Sequence, residues 1–157
     1  MITIRNIELS DKELLEKSLQ EDEFHKDTPV EFFYEPGTVC SVYSDEAGIV
    51  LFTRGKAVEV NNKRVIRLDI QFLDNYAARR NLKVMLAGFT RLLDNAKDNG
   101  FNAMVFESTH PLLRNFCIKR LGFAQVPDFH NWLVKYLDAD TYIKAIGKAS
   151  FGAGGSA

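Results

Sequence analysis

The order of three patterns between Lys63 and Phe106 constrains the fold of this chain more than any other feature. The run "KRVIRLDIQFL", rich in β-branched and aromatic residues, reads as a strand, and Asn75 can cap the helix pattern that follows and ends at Gly100. The nearly continuous apolar run "FNAMVFEST" then reads as a second strand. Strands joined through a helix lie parallel with a right-handed connection, so these patterns predict a parallel β-α-β crossover. The apolar residues at helical spacing are Leu82, Met85, Leu86, Phe89, Leu92, Leu93 and Ala96.

Two further strand patterns, "TVCSVYSD" and "GIVLFTRGKAVEV", precede this unit. Asn61-Asn62 suits a two-residue hairpin turn, so the three strands are expected to form an antiparallel meander. Side chains alternate between the two faces of a strand. The last strand of the meander therefore has an apolar face and a polar face. The apolar face carries Ile66, Leu68, Ile70 and Phe72, and the polar face carries Arg67, Asp69 and Gln71.

At the amino terminus, "ITIRNI" predicts a short strand, and "SDKELLEKSL" predicts a helix that opens with a capping box formed by Ser10 and Glu13. The stretch from Glu21 to Gly37 is charged, aromatic and interrupted by two prolines, which predicts a loop with one irregular helical turn. Two interpretations of this loop stay open: a substrate-selecting loop and an ordinary connection.

At the carboxyl end, "HPLLRNFCIKRLGF" predicts an amphipathic helix with Pro111 in its first turn and Gly122 at its end. "HNWLVKYL" predicts a strand, and "DADTYIKAIGKAS" a last helix. Phe129 and Trp132 are interpreted as core residues rather than as a surface on which substrate stacks.

Length and charge limit the classes of protein that this chain can belong to. Its 157 residues suit one domain, predicted to span 1–150, with a flexible glycine-rich tail at 151–157. The formal net charge of -1 disfavours a nucleic-acid partner, because such proteins usually carry a basic excess. The acidic excess between Glu8 and Glu35 indicates either a solvated helical face or a site for a cationic substrate.

The two cysteines and the apolar segments bear on the cellular setting. Cys40 and Cys117 lie far apart and match no paired metal or redox spacing, so no metal is expected and a reducing, cytoplasmic setting fits best. The amino terminus lacks the features of a signal peptide, and no stretch is long and apolar enough to span a bilayer. The sequence predicts a soluble protein without a membrane partner.

The order of the elements, the stretch from Arg64 to Phe106 and the later "KRLGF" together resemble the GNAT superfamily of N-acetyltransferases. The resemblance covers about Ile2 to Leu137. It implies an α/β fold of the α+β type, in which a mixed central sheet has an antiparallel N-terminal meander, a parallel β-α-β crossover and helices on both faces. It also implies acetyl-CoA as the cosubstrate and an amine-bearing small molecule or protein as the acceptor.

In this family a glycine-containing loop opens the central helix, and its backbone amides hold the pyrophosphate of acetyl-CoA. Aligned by the helix, the three motif positions fall at Ala78, Asn81 and Lys83, and all three depart from the pattern. Arg79, Arg80 and Lys83 form either a phosphate grip or a solvated first turn, where the helix dipole opposes each cation by about 0.3–1 kcal/mol. The cofactor-binding residues that the resemblance implies are Phe72, Leu73, Asp74, Arg79, Arg80, Asn81, Leu82, Lys83 and Val84.

The segment "CIKRLGF" resembles the family's helix that ends in Tyr, three residues and Gly-Phe, whose Tyr often protonates the departing thiolate. Ile118 occupies the Tyr position and has no proton to give. A slip of one residue in the alignment places Cys117 there instead. Cys117 is therefore either the acid of the reaction or a small hydrophobe buried in the core.

Acetyl transfer to an amine also needs a base that removes a proton from the ammonium. Glu59, Asp69 and Glu107 are candidates, and Asp69 on the polar strand face is the first of them. Arg54 is expected across the hairpin from Asp69, so an ion pair can explain both residues without catalysis. His110 can transfer protons near neutral pH or simply begin a helix. The candidate catalytic residues are Asp69, Glu107 and Cys117.

The resemblance implies an N-acyltransferase that transfers an acetyl group from acetyl-CoA to an amine by direct attack. The alternative is a catalytically inactive GNAT-fold protein that serves as a binding or assembly module. Loss of both motif glycines and of the Tyr is expected in a protein that has kept the fold and lost the activity. A monomer or a homodimer is expected in either case.

Overall fold

The computed structural model describes residues 2–22, 25–46, 48–73 and 82–138. Within these ranges the chain forms seven strands and three α-helices. The strands are β1 Thr3–Asn6, β2 Val39–Asp45, β3 Gly48–Val60, β4 Lys63–Leu73, β5 Ala103–Glu107, β6 Ala124–Val126 and β7 Phe129–Tyr136. The helices are α1 Lys12–Glu21, α2 Leu82–Asp98 and α3 Pro111–Leu121.

The seven strands belong to one mixed sheet in the order β1-β2-β3-β4-β5-β7-β6. Four strand pairs are antiparallel: β1 with β2, β2 with β3, β5 with β7, and β6 with β7. β4 and β5 pair in parallel. The predicted mixed sheet, its antiparallel meander and its parallel crossover through α2 are thereby confirmed. β6 was not predicted, because three residues carry too little periodicity to be recognised as a strand.

By its internal contacts the chain divides into two compact units. The first comprises Met1–Gly55 and Ile70–Gly88, and the second comprises Lys56–Asp69 and Phe89–Ala157. The single domain over 1–150 stays a prediction. The predicted last helix and the tail at 151–157 lie outside the described residues, apart from Asp138.

The first unit has its own apolar core, which α1 enters through Leu15 and Leu19, one helical turn apart and both fully buried. The loop between α1 and β2 contributes Val30 and Phe33 from a 3₁₀ helix, Val30–Tyr34, which confirms the predicted irregular turn. β2 contributes Val42 to this core and β3 contributes Phe52. Two residues of the loop, Glu23 and Phe24, lie outside the described residues.

The predicted capping box of α1 is wrong, because Glu8 and Asp11 form the box in place of Ser10 and Glu13. Helical structure begins with a 3₁₀ turn at Leu9, and the carboxylate of Asp11 accepts the backbone N–H of Glu8 at 2.8 Å. Asp11 takes this part, rather than Glu13 with a Ser10 cap, because the guanidinium of Arg5 holds its two carboxylate oxygens at 2.6 Å each. Arg5 belongs to β1, so the start of the helix depends on a contact between two elements.

The second unit is built on the hairpin that joins β3 to β4. Asn61 and Asn62 have φ angles of 51° and 65°, as a two-residue type I′ turn requires, which confirms the predicted turn. Valines and an alanine from five strands form the core beneath it, and partly buried aromatic residues pack against them. The core residues are Val60, Val65, Ala103, Val105, Val126 and Val134, and the partly buried residues packed against them are Val58, Phe129, Trp132 and Tyr136.

Both predicted glycine helix ends are confirmed. Gly100, with φ of 84°, follows the end of α2, and Gly122, with φ of 76°, caps α3 by donating its N–H to the carbonyl of Cys117. Phe123 then packs edge-on against Phe106 of β5, with ring centroids 5.3 Å apart. The "GF" of the sequence motif therefore ends the helix and returns the chain to the sheet. The predicted cap of α2, Asn75, lies outside the described residues.

Candidate active site

Two of the predicted carboxylates come together at the carboxyl end of the parallel strand pair. The register of β4 and β5 runs from Val65 opposite Ala103 to Leu68 opposite Phe106. Asp69 and Glu107 are each the next residue along their strand, so their side chains lie on the same face of the sheet. In open α/β sheets ligands bind outside the carboxyl ends of parallel strands. Asp69 and Glu107 therefore occupy the position where a ligand site is expected.

Asp69 is held by an arginine that precedes it by two residues on the same strand. Nε of Arg67 donates to one carboxylate oxygen at 2.7 Å, and Nη2 donates to the other at 3.4 Å. The Arg67 side chain is 3% exposed and that of Asp69 is 16% exposed. A charge-assisted bond of this fork geometry fixes the orientation of the carboxylate. The spacing of two along a strand was the signal for this pair, and sequence reasoning missed it.

Sequence reasoning had paired Asp69 with Arg54 instead. The structure gives Arg54 a clear position in the first unit, where its Nε donates to the carbonyl of Phe32 at 2.7 Å and its Nη2 lies 3.3 Å from a carboxylate oxygen of Glu35. Arg54 therefore anchors the loop that holds the 3₁₀ helix. Its predicted pairing with Asp69 stays a prediction.

Glu107 differs from Asp69 in its surroundings. Its side chain is exposed, and no described residue donates a hydrogen bond to its carboxylate. The backbone around it is fixed, because the N–H of Ser108 donates to the carbonyl of Asn131 at 2.9 Å and Glu107 lies opposite Trp132 in the β5–β7 pair. Glu107 is thus an accessible carboxylate on a rigid strand end.

Glu59, the third predicted base, lies elsewhere. It is exposed on β3, two residues before the Asn61-Asn62 turn that leads into the start of β4. Asp69 is six residues further along β4 than Lys63, a distance of about 20 Å along a strand. The structure places Asp69 and Glu107 directly after the last residue pair of the β4–β5 register and leaves Glu59 near the start of β4.

The predicted acid, Cys117, is fully buried on α3. Burial raises the pKa of its thiol to about 12, which opposes loss of the proton. Ile118 beside it is 39% exposed. These observations favour the interpretation of Cys117 as a core residue, and its catalytic role stays a prediction.

His110 precedes the first residue of α3 and its backbone N–H donates to the hydroxyl of Ser108 at 3.2 Å, as expected for a residue that begins a helix. Phe129 and Trp132 are partly buried and pack against the core of the second unit, as the sequence analysis expected.

The predicted cofactor site lies mostly outside the described residues, which do not include Ala78, Asp74, Arg79, Arg80 or Asn81. Phe72 and Leu73 are the last residues of β4, and Leu82 is the first of α2. Lys83 is exposed and Val84 is half-buried in the first turn of α2, a turn without acidic residues. An exposed lysine in a first helical turn that itself holds no acidic residue suits an anion such as a phosphate.

Two findings on the described residues concern metal ions and membranes. In the described part of the chain, no group of three or more histidine, cysteine or acidic residues is arranged to hold a metal ion. None of the helices described is both long enough and apolar enough to cross a membrane.

No protein-family model matches the sequence, and no curated protein matches it. Solved structures do match its fold. An aminoglycoside N(6′)-acetyltransferase from Legionella pneumophila is similar with a TM-score of 0.69 and 8% sequence identity, over 87% of this chain and 92% of that one. A GNAT-family acetyltransferase from Staphylococcus aureus is similar with a TM-score of 0.63 and 15% sequence identity, over 88% of this chain and 100% of that one.

A third similar structure contains coenzyme A. It is a GNAT-family N-acetyltransferase from Escherichia coli, with a TM-score of 0.65 and 17% identity, over 88% of this chain and 83% of that one. At such identities the likeness concerns the fold, and it agrees with the mixed sheet and parallel crossover described above. The chain therefore has the GNAT fold, the fold of these acetyltransferases.

Proposed function

We propose that this chain is an N-acetyltransferase that transfers the acetyl group of acetyl-CoA directly to an amine. The observation that carries the proposal is the β4–β5 register, whose last pair, Leu68 with Phe106, puts Asp69 and Glu107 next in line on one face of the sheet. The GNAT fold supports it, since similar structures are acetyltransferases and one of them was solved with coenzyme A.

The two carboxylates suit different tasks. Asp69 is held in place by Arg67 and is 16% exposed, so it serves to hold the ammonium group of the acceptor. Glu107 is exposed and has no hydrogen-bond donor among the described residues, so it accepts the proton that the ammonium must lose. The neutral amine can then form the new C–N bond as the C–S bond of the thioester breaks, and the departing sulfur takes up a proton.

Acetyl-CoA supplies the thioester, and the residues proposed to hold it lie around the start of α2. The phosphates are proposed to meet Arg79, Arg80, Asn81 and Lys83. Lys83 is exposed in the first turn of α2, where the positive end of the helix dipole also favours an anion. The remaining residues proposed for this site are Phe72, Leu73, Asp74, Leu82 and Val84.

The first experiment is a calorimetric titration of the purified protein with acetyl-CoA and with CoA. Binding in the micromolar range, about -8 kcal/mol at 1 μM, is the expected result. Lys83→Gly separates the possible roles of the lysine: weaker binding means that its charge holds the phosphate, and tighter binding means that its side chain obstructs the phosphate. Unchanged binding would mean that CoA does not bind there.

The second experiment measures acetyl transfer to kanamycin, spermidine and free lysine. Removing a general base typically lowers kcat by about 10²–10⁴-fold, so Glu107→Gln is expected to fall in that range. Asp69→Asn is expected to raise KM for the amine more than it lowers kcat, because Asp69 binds the acceptor. Glu59→Gln is the matched control, an exposed glutamate near the opposite end of β4, and should leave both constants unchanged. Equal effects of Glu107→Gln and Glu59→Gln would contradict the assignment.

A second candidate function is a binding module without catalysis. It is favoured by Ile118 at the position where the family has its acid, and by the complete burial of Cys117 beside it. CoA binding without transfer to any amine of the panel would support this function. Small-molecule amines come first in the panel because several similar structures are aminoglycoside acetyltransferases. A cytoplasmic location and a monomeric or dimeric state remain part of the proposal.

A further inference from the structure

We propose that Trp132 forms the aromatic wall of the acceptor site and selects acceptors that arrive as ammonium ions. The proposal rests on the proposed function, because it takes Asp69 and Glu107 to be the end of the site where the amine reacts. It concerns a residue whose sequence pattern predicts a position in the core. The register of three strands carries the argument.

Trp132 lies directly opposite Glu107 in the antiparallel β5–β7 pair. Asp69 and Glu107 follow the last pair of the parallel β4–β5 register, Leu68 with Phe106. Residues opposite one another in adjacent strands point to the same face, so the sheet presents Asp69, Glu107 and Trp132 in one row. Neighbouring strands are about 4.8 Å apart, so the row spans about 10 Å. An acceptor that ends in an ammonium group with adjacent CH₂ groups is long enough to span this row.

The burial of Trp132 and the exposure of Glu107 suit the binding of a cation at this row. Trp132 is half-buried and packs against the valine core of the second unit, which fixes the position of its ring. Glu107 beside it is exposed. The hydrogen bond from the N–H of Ser108 to the carbonyl of Asn131 at 2.9 Å holds β5 and β7 together at this end. The ring is therefore held rigidly next to an accessible carboxylate.

The chemistry of the row determines the ligand class. The face of an indole ring attracts a cation more strongly than other aromatic side chains do. Carboxylates attract the same cation and accept its N–H groups. Asp69, Glu107 and Trp132 together thus favour an ammonium group with its adjacent CH₂ groups over an uncharged group of the same shape.

Tyr136 provides a matched control within the same strand. It lies on the same face as Trp132, is also half-buried, and packs against the same core. It lies opposite Ala103, four residues from Trp132 and about 13 Å away along the strand. Tyr136→Leu therefore removes a comparable aromatic ring from the same core without touching the proposed site.

The test uses the fluorescence of Trp132, which is the only tryptophan of the chain. The probes are hexyltrimethylammonium, a permanent cation that cannot be acetylated, and 1-hexanol, its uncharged counterpart, at constant ionic strength. Saturable quenching or a shift of the emission by the cation alone is expected. Glu107→Gln should raise the apparent Kd of the cation by about 2- to 5-fold, the range of a solvent-exposed charge pair, because this cation has no N–H to donate. No response to the cation, or an equal response to 1-hexanol, would overturn the proposal.

Kinetics with an amine that the protein acetylates supply the second test. Trp132→Leu is expected to raise KM about 3- to 10-fold, the range of a partly desolvated cation–ring contact, and Trp132→Phe is expected to raise it less. Tyr136→Leu should leave KM unchanged, and an equal rise in both leucine variants would overturn the proposal. The fluorescence test needs no turnover. Cation binding without transfer would therefore contradict the proposed function alone, and transfer without cation selectivity would contradict this inference alone.

Discussion

Asp11→Asn is the substitution whose effect on stability can be worked out most fully from the structure. Arg5 donates two hydrogen bonds of 2.6 Å to the two oxygens of Asp11, and the backbone N–H of Glu8 donates a third of 2.8 Å. The Asp11 side chain is 10% exposed, whereas that of Arg5 is 44% exposed. The hydrogen bonds from Arg5, followed by that from Glu8, hold the pKa of Asp11 below its ordinary value of 3.8.

The expected magnitude follows from these contacts. Hydrogen bonds to charged groups contribute about 1.5–3 kcal/mol, but an exposed ion pair contributes only about 0–1 kcal/mol. Because the guanidinium of Arg5 is almost half exposed, solvent screening reduces the larger figure. Asp11→Asn keeps the shape of the side chain and is expected to lower the free energy of unfolding by about 1–2 kcal/mol at pH 7.

The effect should depend on pH in a definite direction. The pKa of Asp11 is lower in the folded than in the unfolded state, so its contribution is full above the unfolded value and is lost as pH falls through the folded value. Urea unfolding of the wild type and of Asp11→Asn should therefore differ at pH 7 and at pH 5, and converge as the pH falls below about 4.

The control for this experiment is Glu31→Gln. A carboxylate oxygen of Glu31 lies 3.6 Å from Nζ of Lys12, and both side chains are exposed. Loss of this ion pair should therefore change the free energy of unfolding by less than about 0.5 kcal/mol. A difference between wild type and Asp11→Asn that is as large at pH 2.5 as at pH 7 would refute the reasoning, because it could not come from the charge of Asp11.

Two further predictions concern the second unit. Cys117→Ala is expected to lower stability by about 1–2 kcal/mol, because the side chain is fully buried, and to leave kcat unchanged. A loss of kcat in a folded Cys117→Ala protein would restore Cys117 as the acid of the reaction. Asn62→Gly should be neutral or stabilising in thermal unfolding, whereas Asn62→Val should cost about 1–3 kcal/mol because φ at this position is 65°. Equal midpoints of thermal unfolding for Asn62→Gly and Asn62→Val would contradict a positive φ at this position.

The amino-acid sequence by itself determined the order and kind of most elements. The Asn61-Asn62 turn, the glycine that ends α3 and the periodicity of α2 are local signals, and each depends on the conformational preferences of a few consecutive residues. The parallel pairing of β4 and β5 followed as well, because a helix between two strands of one sheet leaves few topologies. The position of Asp69 and Glu107 at one end of this pair could be expected from the same rule.

Only the tertiary structure decided which side chains meet. Asp11 rather than Ser10 controls the start of α1 because Arg5 reaches it from β1, and Trp132 stands beside Glu107 because of the register of β5 with β7. Arg67 holds Asp69 although Arg54 had been expected opposite it. Contacts of this kind depend on register and rotamer between elements distant in sequence, and a shift of one residue in a strand moves every side chain to the other face. Periodicity along the chain cannot specify them.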